Sequence, residues 1–198
     1  MYGKRQWGRL VRMQLDNKNL DFCFENSLVK VVANRNYPEI ELAGLTVGPL
    51  EEGNEYELYF WIADMFAEQG IAHFREEDSL DAAKLYKVVW KERVQVASQI
   101  SELPEDFYPK LRRYLANMKE AIATAKQPEK VQEYEKAKHL AWDIVNSRLK
   151  KIVALSSGPA QTDQVLKKFT SEEKFIYQQL GKIITEWKAQ ILDYEGET

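Results

Sequence analysis

At 198 residues the chain has room for one large or two small domains and for a true hydrophobic core. Its make-up, 44% hydrophobic and 30% charged, excludes a disordered chain, and a net charge of −3 argues against a protein that coats nucleic acid. The one cysteine, Cys23, rules out an internal disulfide and a multi-cysteine metal site, and it reads as a small buried apolar residue.

In chain order, the first feature is basic. Lys4, Arg5, Arg9 and Arg12 surround Trp7 with no acid before Asp16, so charge and a stacking ring coexist and could meet nucleic acid. The same residues fit an edge strand, LVRMQL, whose basic side chains discourage aggregation; this second reading is preferred. The opening residues lack the apolar block of a signal peptide, and no apolar run reaches the roughly 18 residues of a membrane span, so a cytoplasmic protein is expected.

Residues 27–33, SLVKVVA, read as a strand, and 38–47, PEIELAGLTV, alternate like a half-buried strand. Tyr56, Leu58 and Phe60 alternate with Glu55, Glu57 and Tyr59. FWIADMFAEQG then reads as a short helix stopped by Gly70, and IAHF as a returning strand. Glu76, Glu77 and Asp78 read as a solvated linker and helix start.

From there on the pattern is helical. One helix is expected from Asp78 or Ser79 to about Ile100, with Leu85, Val89, Val96 and Ile100 along one face. A second follows Pro104, with Phe107, Leu111, Tyr114, Leu115, Met118 and Ile122 on its stripe. A third runs from Pro128 to about Ser156, with Trp142, Val145, Leu149 and Ile152 at heptad spacing. SSGPAQTDQVLKKF is a loop, and Thr170 with Glu173 forms a capping box for the last helix, whose stripe is Ile176, Leu180, Ile183, Ile184, Trp187 and Ile191. The fold class is therefore α+β: a segment at 1–24 that either stands apart or joins the small domain, a small β-rich mixed domain at 25–77, and an all-α bundle at 78–198. The bundle helices are expected to be about 20 to 28 residues long.

Glycines at 44, 48 and 53 raise the question of a phosphate loop. Gly48 is followed by Pro49, Leu50 and Glu51, not by Gly-Lys-Ser/Thr, and no GxGxxG is present. From Asn36 to Phe74 there is no lysine or arginine, while Glu39, Glu41, Glu51, Glu52, Glu55, Glu57, Asp64 and Glu68 supply eight carboxylates. A like charge at 4 Å costs about 4 kcal/mol at an effective dielectric near 20. The nucleotide reading fails, and these glycines are turn residues.

That turn carries a family resemblance. VKVVA (29–33) ahead of GPLEEGNEYELYFWIA (48–63) resembles the small domain of a GINS subunit of the β-domain-first class. LPEDFYPKLRRYL (103–115) and WDIVNSRLKKI (142–152) resemble helices of the larger domain of that family. The likeness covers residues 27–155; the first 24 residues, and Tyr59-Phe60 where relatives often place a proline, depart from it. The resemblance implies a non-catalytic scaffold of the DNA replication machinery, of archaeal type, found at replication forks. It implies a 2:2 tetramer with a subunit of opposite domain order, which would associate with the MCM helicase, a RecJ-like or Cdc-type factor, and primase or polymerase.

No catalytic constellation stands out. His73 and His139 fall in unrelated segments, so catalytic residues, metal ligands and cofactor-binding residues are all expected to be none. Tyr108, Tyr114, Trp142 and Trp187 lie in or beside apolar stripes; packing within the chain comes first and a subunit interface second. Arg148, Lys150 and Lys151 suit the negative end of their helix, and the resemblance adds that Arg148 could reach a carboxylate across an interface. Glu51, Glu52, Glu55 and Glu57 are expected to attract a basic partner. The alternative function is a stand-alone DNA-binding module using the basic N-terminus, although direct DNA binding is expected to be weak or absent.

Overall fold

The computed structural model describes residues 22–95, 99–125 and 127–192, and Lys4, Arg5, Trp7, Arg9 and Arg12 lie outside them. The chain divides between His73 and Phe74 into two compact units.

In the first unit the valine-rich run forms β1 (Leu28–Ala33), as its composition requires. The stretch 38–47 is not one strand but a hairpin, β2 (Ile40–Leu42) and β3 (Leu45–Val47). Ala43 and Gly44 have φ of 51° and 79°, both positive as a two-residue type I′ turn needs, so the strand reverses where its alternation seems to continue. The register Ile40↔Val47 extends to a bridge Tyr37↔Leu50, closed by two hydrogen bonds of 2.8 Å. Gly48 (φ 98°) lies in this returning arm, and a Cβ there would sit 3.2 Å from Pro38 O and from Glu39 Cα.

A second turn at Glu51–Asn54 feeds β4 (Glu55–Tyr59), which pairs antiparallel with β1 from Leu28↔Tyr59 to Val32↔Glu55. With β5 (Ala72–Phe74) the sheet order is β4-β1-β5. Helix α1 (Phe60–Glu68) closes as the sequence foresees. Gly70 at φ 66° donates to Ala67 O and Ile71 donates to Phe66 O, the paired bonds of a Schellman end. Val31, Ile62, Ala63, Phe66 and Ile71 form the core, with Phe24 against Phe60 at 4.4 Å.

The second unit is the bundle. Asp81, not Asp78 or Ser79, caps α2 (Ala82–Val94), accepting 2.7 Å from the Lys84 N–H. Asp78 and Glu77 are held instead by Arg75. Helix α2 is 13 residues long and stops well before Ile100. Val96 lies outside the described residues; further on, Ile100 and Leu103 enter the core from outside the helix, and Ser101 donates to Glu92. Next come α3 (Phe107–Ala125), α4 (Pro128–Ser157), a single turn α5 (Asp163–Leu166) and α6 (Ser171–Leu192). The long helices therefore run to 13, 19, 30 and 22 residues, less uniform than their repeat pattern suggests.

Helix α4 is the hub, packing against α2, α3 and α6. One core cluster joins Leu85, Val89, Phe107, Leu111, Ala137 and Ile144; another joins Ile100, Ile152, Leu155 and Phe169, backed by Ile176, Tyr177 and Leu180. The capping box forms: Glu173 N–H donates 3.4 Å to Thr170 Oγ1, and Thr170 N–H donates 3.2 Å to the Glu173 carboxylate.

Candidate assembly surface

Successive residues of a helix turn by about 100°, so a seam seven residues long per repeat can be shifted by a single position without disturbing its spacing. On α4 that shift occurs. The buried face is Ala137, Leu140, Ala141, Ile144, Arg148, Ile152 and Leu155. Small Ala137 and Ala141 let neighbouring helices close in, and a tryptophan cannot occupy that seam. Trp142, Val145, Leu149 and Val153 form the adjacent stripe and face solvent, Trp142 at 67% exposure.

Two further stripes share this character. Tyr86, Trp90 and Val94 follow at intervals of four on α2, with Trp90 67% exposed. On α6 the face that carries Ile176 and Leu180 into the core continues as Ile183, Trp187 and Ile191, now in solvent, with Trp187 at 59%. The reason is length. Glu173 lies beside Arg148, and the Lys188 ammonium donates to the carbonyl of Ser157, the last residue of α4. The two helices thus run in the same direction. From Arg148 to Ser157 α4 advances nine residues, while α6 advances nineteen from Glu173 to Leu192. Helix α6 therefore reaches past the end of α4, with Leu192 four residues beyond the Lys188 that bonds to Ser157.

Beneath this surface lies a buried ion network. Arg148 is 0% exposed, and its guanidinium donates to Glu92 at 2.6 Å, to Glu173 Oε2 at 2.6 Å and to Ser101 O at 2.9 Å. Lys151, one turn on, donates to Glu92 Oε2 at 2.6 Å and to Glu92 O at 2.9 Å. Tyr108 donates to Glu173 Oε1 at 2.7 Å. Residues from α2, α3, α4 and α6 therefore meet at one point, with two positive and two negative groups.

Burial opposes charge on Glu92, but hydrogen bonds from Lys151 and Ser101 and the Arg148 charge outweigh it and hold the carboxyl below 4.5. Burial likewise opposes the Arg148 charge, and the bond to Glu173 with the two carboxylate charges overrides it, so the guanidinium stays protonated. Burial first, then the Glu173 charge, push the Tyr108 hydroxyl well above 10.0, which keeps it a donor. Tyr114 is half-buried; desolvation, with Asp81 and Glu133, raises its hydroxyl above 10.0.

The residues singled out from sequence separate accordingly. Tyr108 and Arg148 meet at Glu173, Tyr114 packs on the first core cluster, and only Trp142 and Trp187 lie on the surface. Arg148 finds its carboxylates within its own chain, and with these bonds made its buried guanidinium presents no face to another subunit. It also sits nine residues before the helix end at Ser157, too far in to offset that terminus. Trp90 and Tyr86 escaped notice because they flank the Leu85–Val89 seam, although their own spacing of four is visible.

In the first unit Glu51, Glu52, Glu55 and Glu57 are all exposed. Glu51 accepts 3.0 Å from Asn54, and Glu57 stands opposite Lys30 in the sheet, so Lys30 tempers part of the acidic field. Cys23 is exposed, not buried, as is the neighbouring Phe22. His73 contacts Asn34, and His139 is exposed on α4. Among the described residues no group of three or more His, Cys, Asp or Glu is arranged to hold a metal ion, and no helix is long and apolar enough to cross a membrane.

A search among curated proteins finds no match to the chain. The family model described as the GINS complex protein helical bundle domain, Sld5, matches residues 69–192, which spans α2 to α6 and all the residues of the ion network. The chain belongs to that family, the GINS complex subunits of DNA replication.

Proposed function

We propose that the chain is a non-catalytic scaffold subunit, small domain first and bundle second, that joins a GINS subunit of opposite domain order in a 2:2 tetramer. The observation that carries this reading is the set of three apolar stripes on α2, α4 and α6, each with a tryptophan more than half exposed. Exposed aromatic stripes of this length are characteristic of surfaces that another protein covers. In the assembled complex the bundle, residues 78–198, carries the tetramer. The small domain, 25–77, serves as a docking arm whose Glu51, Glu52, Glu55 and Glu57 steer a basic partner. The MCM helicase, a RecJ-like or Cdc-type factor, and primase or polymerase are the partners this scaffold would bridge in the cytoplasm at replication forks.

The test is co-expression with a GINS subunit of opposite domain order, followed by native mass measurement. A stable hetero-oligomer that lacks appreciable DNA affinity is the expected result. A lone chain that stays monomeric beside that subunit, or salt-dependent DNA binding by the chain alone, would overturn it in favour of a DNA-binding module.

A further inference from the structure

The apolar face of α6 repeats itself. Moving α6 back by four residues replaces Ile176 and Leu180 by Leu180 and Ile184, and moving it by seven replaces them by Ile183 and Trp187. Against Ile152 and Leu155 on α4 these substitutes are all apolar, of similar bulk in the four-residue slip and larger at Trp187 in the seven-residue one, so the hydrophobic seam discriminates weakly against the shorter slip. Such a slip would also draw the overhanging face into the bundle. Apolar packing alone does not account for why α6 projects as far as it does.

The charged contacts do not repeat. A four-residue slip sets Tyr177 against Arg148, and a seven-residue slip sets Leu180 there. Either leaves a fully buried guanidinium without Glu173, parts Glu173 from Tyr108, and leaves Glu92 facing an unbalanced positive pair. We infer that the Glu92–Arg148–Lys151–Glu173 network is a register lock, fixing the axial position of α6 on α4 and thereby setting how much of the Ile183–Trp187–Ile191 face stands clear for a partner. Buried ion groups add little net stability compared with apolar replacements, and selection of one register is their best-attested use. Arg148 and Lys151 act here as positioning residues for a surface that neither of them touches.

The experiment measures the register directly and does not depend on assembly. Spin labels are placed at Lys150→Cys on α4 and Glu186→Cys on α6, both exposed, in a Cys23→Ser background. With the network intact a single narrow distance is expected. Two comparison chains carry the same labels: one with Glu92, Arg148, Lys151 and Glu173 all changed to Met, and one with only Arg148→Met and Glu173→Met, which leaves Glu92 paired with Lys151. The expected result is helical, cooperatively melting protein whose distance distribution broadens or gains a population displaced by about 5 Å or about 10 Å, one turn or seven residues. A folded variant that keeps the single narrow distance overturns the lock. So does failure of both variants to fold, since the network would then be required for the bundle itself and not for its register.

Discussion

Arg148→Met tests the network where it is most exposed to error. The substitution keeps much of the side-chain volume and removes one positive charge from a buried set of two positive and two negative groups. Glu92 retains Lys151 and Ser101, but Glu173 keeps only Tyr108 and the Thr170 N–H, so one buried negative charge is left uncompensated. Breaking a buried pair in this way costs about 3 to 5 kcal/mol, a large part of the roughly 5 to 15 kcal/mol that holds a domain folded. For a bundle of this size each kcal/mol shifts the melting point by about 3 to 5 °C, so a fall of roughly 10 to 20 °C is expected. Thermal melting followed by far-UV circular dichroism reads it, since the helices dominate that signal. Adding Glu173→Met restores neutrality and should recover at least about half of the loss, because an apolar pair is tolerated where a lone charge is not. A single variant within about 1 kcal/mol of the parent, or a double variant worse than the sum of its singles, would refute the account of Arg148 as a fully desolvated hub.

Three further outcomes are expected. The Glu92 carboxyl is held below its ordinary 4.5, so its stabilising contribution is complete above that value and is lost as pH falls through the folded value. Lys151→Met removes its strongest hydrogen bond, and acid-induced unfolding should then begin at higher pH in a melt series from pH 7 to pH 3. Trp142→Glu and Trp187→Glu should each leave the melting of the isolated chain within about 0.5 kcal/mol while weakening hetero-oligomer formation by about 2 kcal/mol or more, measured by native mass titration. Full assembly by both variants would show that those stripes are not the covered ones. Gly48→Ala should lower stability by about 1 to 3 kcal/mol, since φ of 98° and two backbone atoms 3.2 Å from the new Cβ allow no easy relief; urea unfolding measures it.

Much of this architecture was legible because its signals are local. The Gly70 helix end, the Thr170–Glu173 box and the strand runs at 28–33 and 55–59 depend on neighbours within a few residues. The hairpin at Ala43–Gly44 was misread because alternation is preserved across a two-residue reversal. The length of α2 was misread because Ile100 keeps the helical spacing while entering the core from outside the helix. Periodicity located the stripe on α4 but not which of two adjacent stripes is buried, since that depends on the neighbouring helices. The ion network was invisible for the same reason: Glu92 and Arg148 lie 56 residues apart, and Tyr108 and Glu173 lie 65 apart. In sequence Glu173 looks like a capping residue and nothing more.

The double duty of Glu173 also orders events in time. A chain emerges from the ribosome at about 5 to 20 residues per second. The strands of the first unit are complete once Phe74 is made, whereas the last member of the ion network, Glu173, follows 99 residues later. Arg148 itself is made 25 residues before Glu173, so for roughly 1 to 5 s the nascent bundle holds Arg148 without its counter-ion from α6. Through that interval Arg148 has Glu92 of α2 but not Glu173, and the half-paired guanidinium opposes closure of the second core cluster. The same carboxylate that starts α6 then supplies the missing charge, so helix initiation and bundle closure become one step.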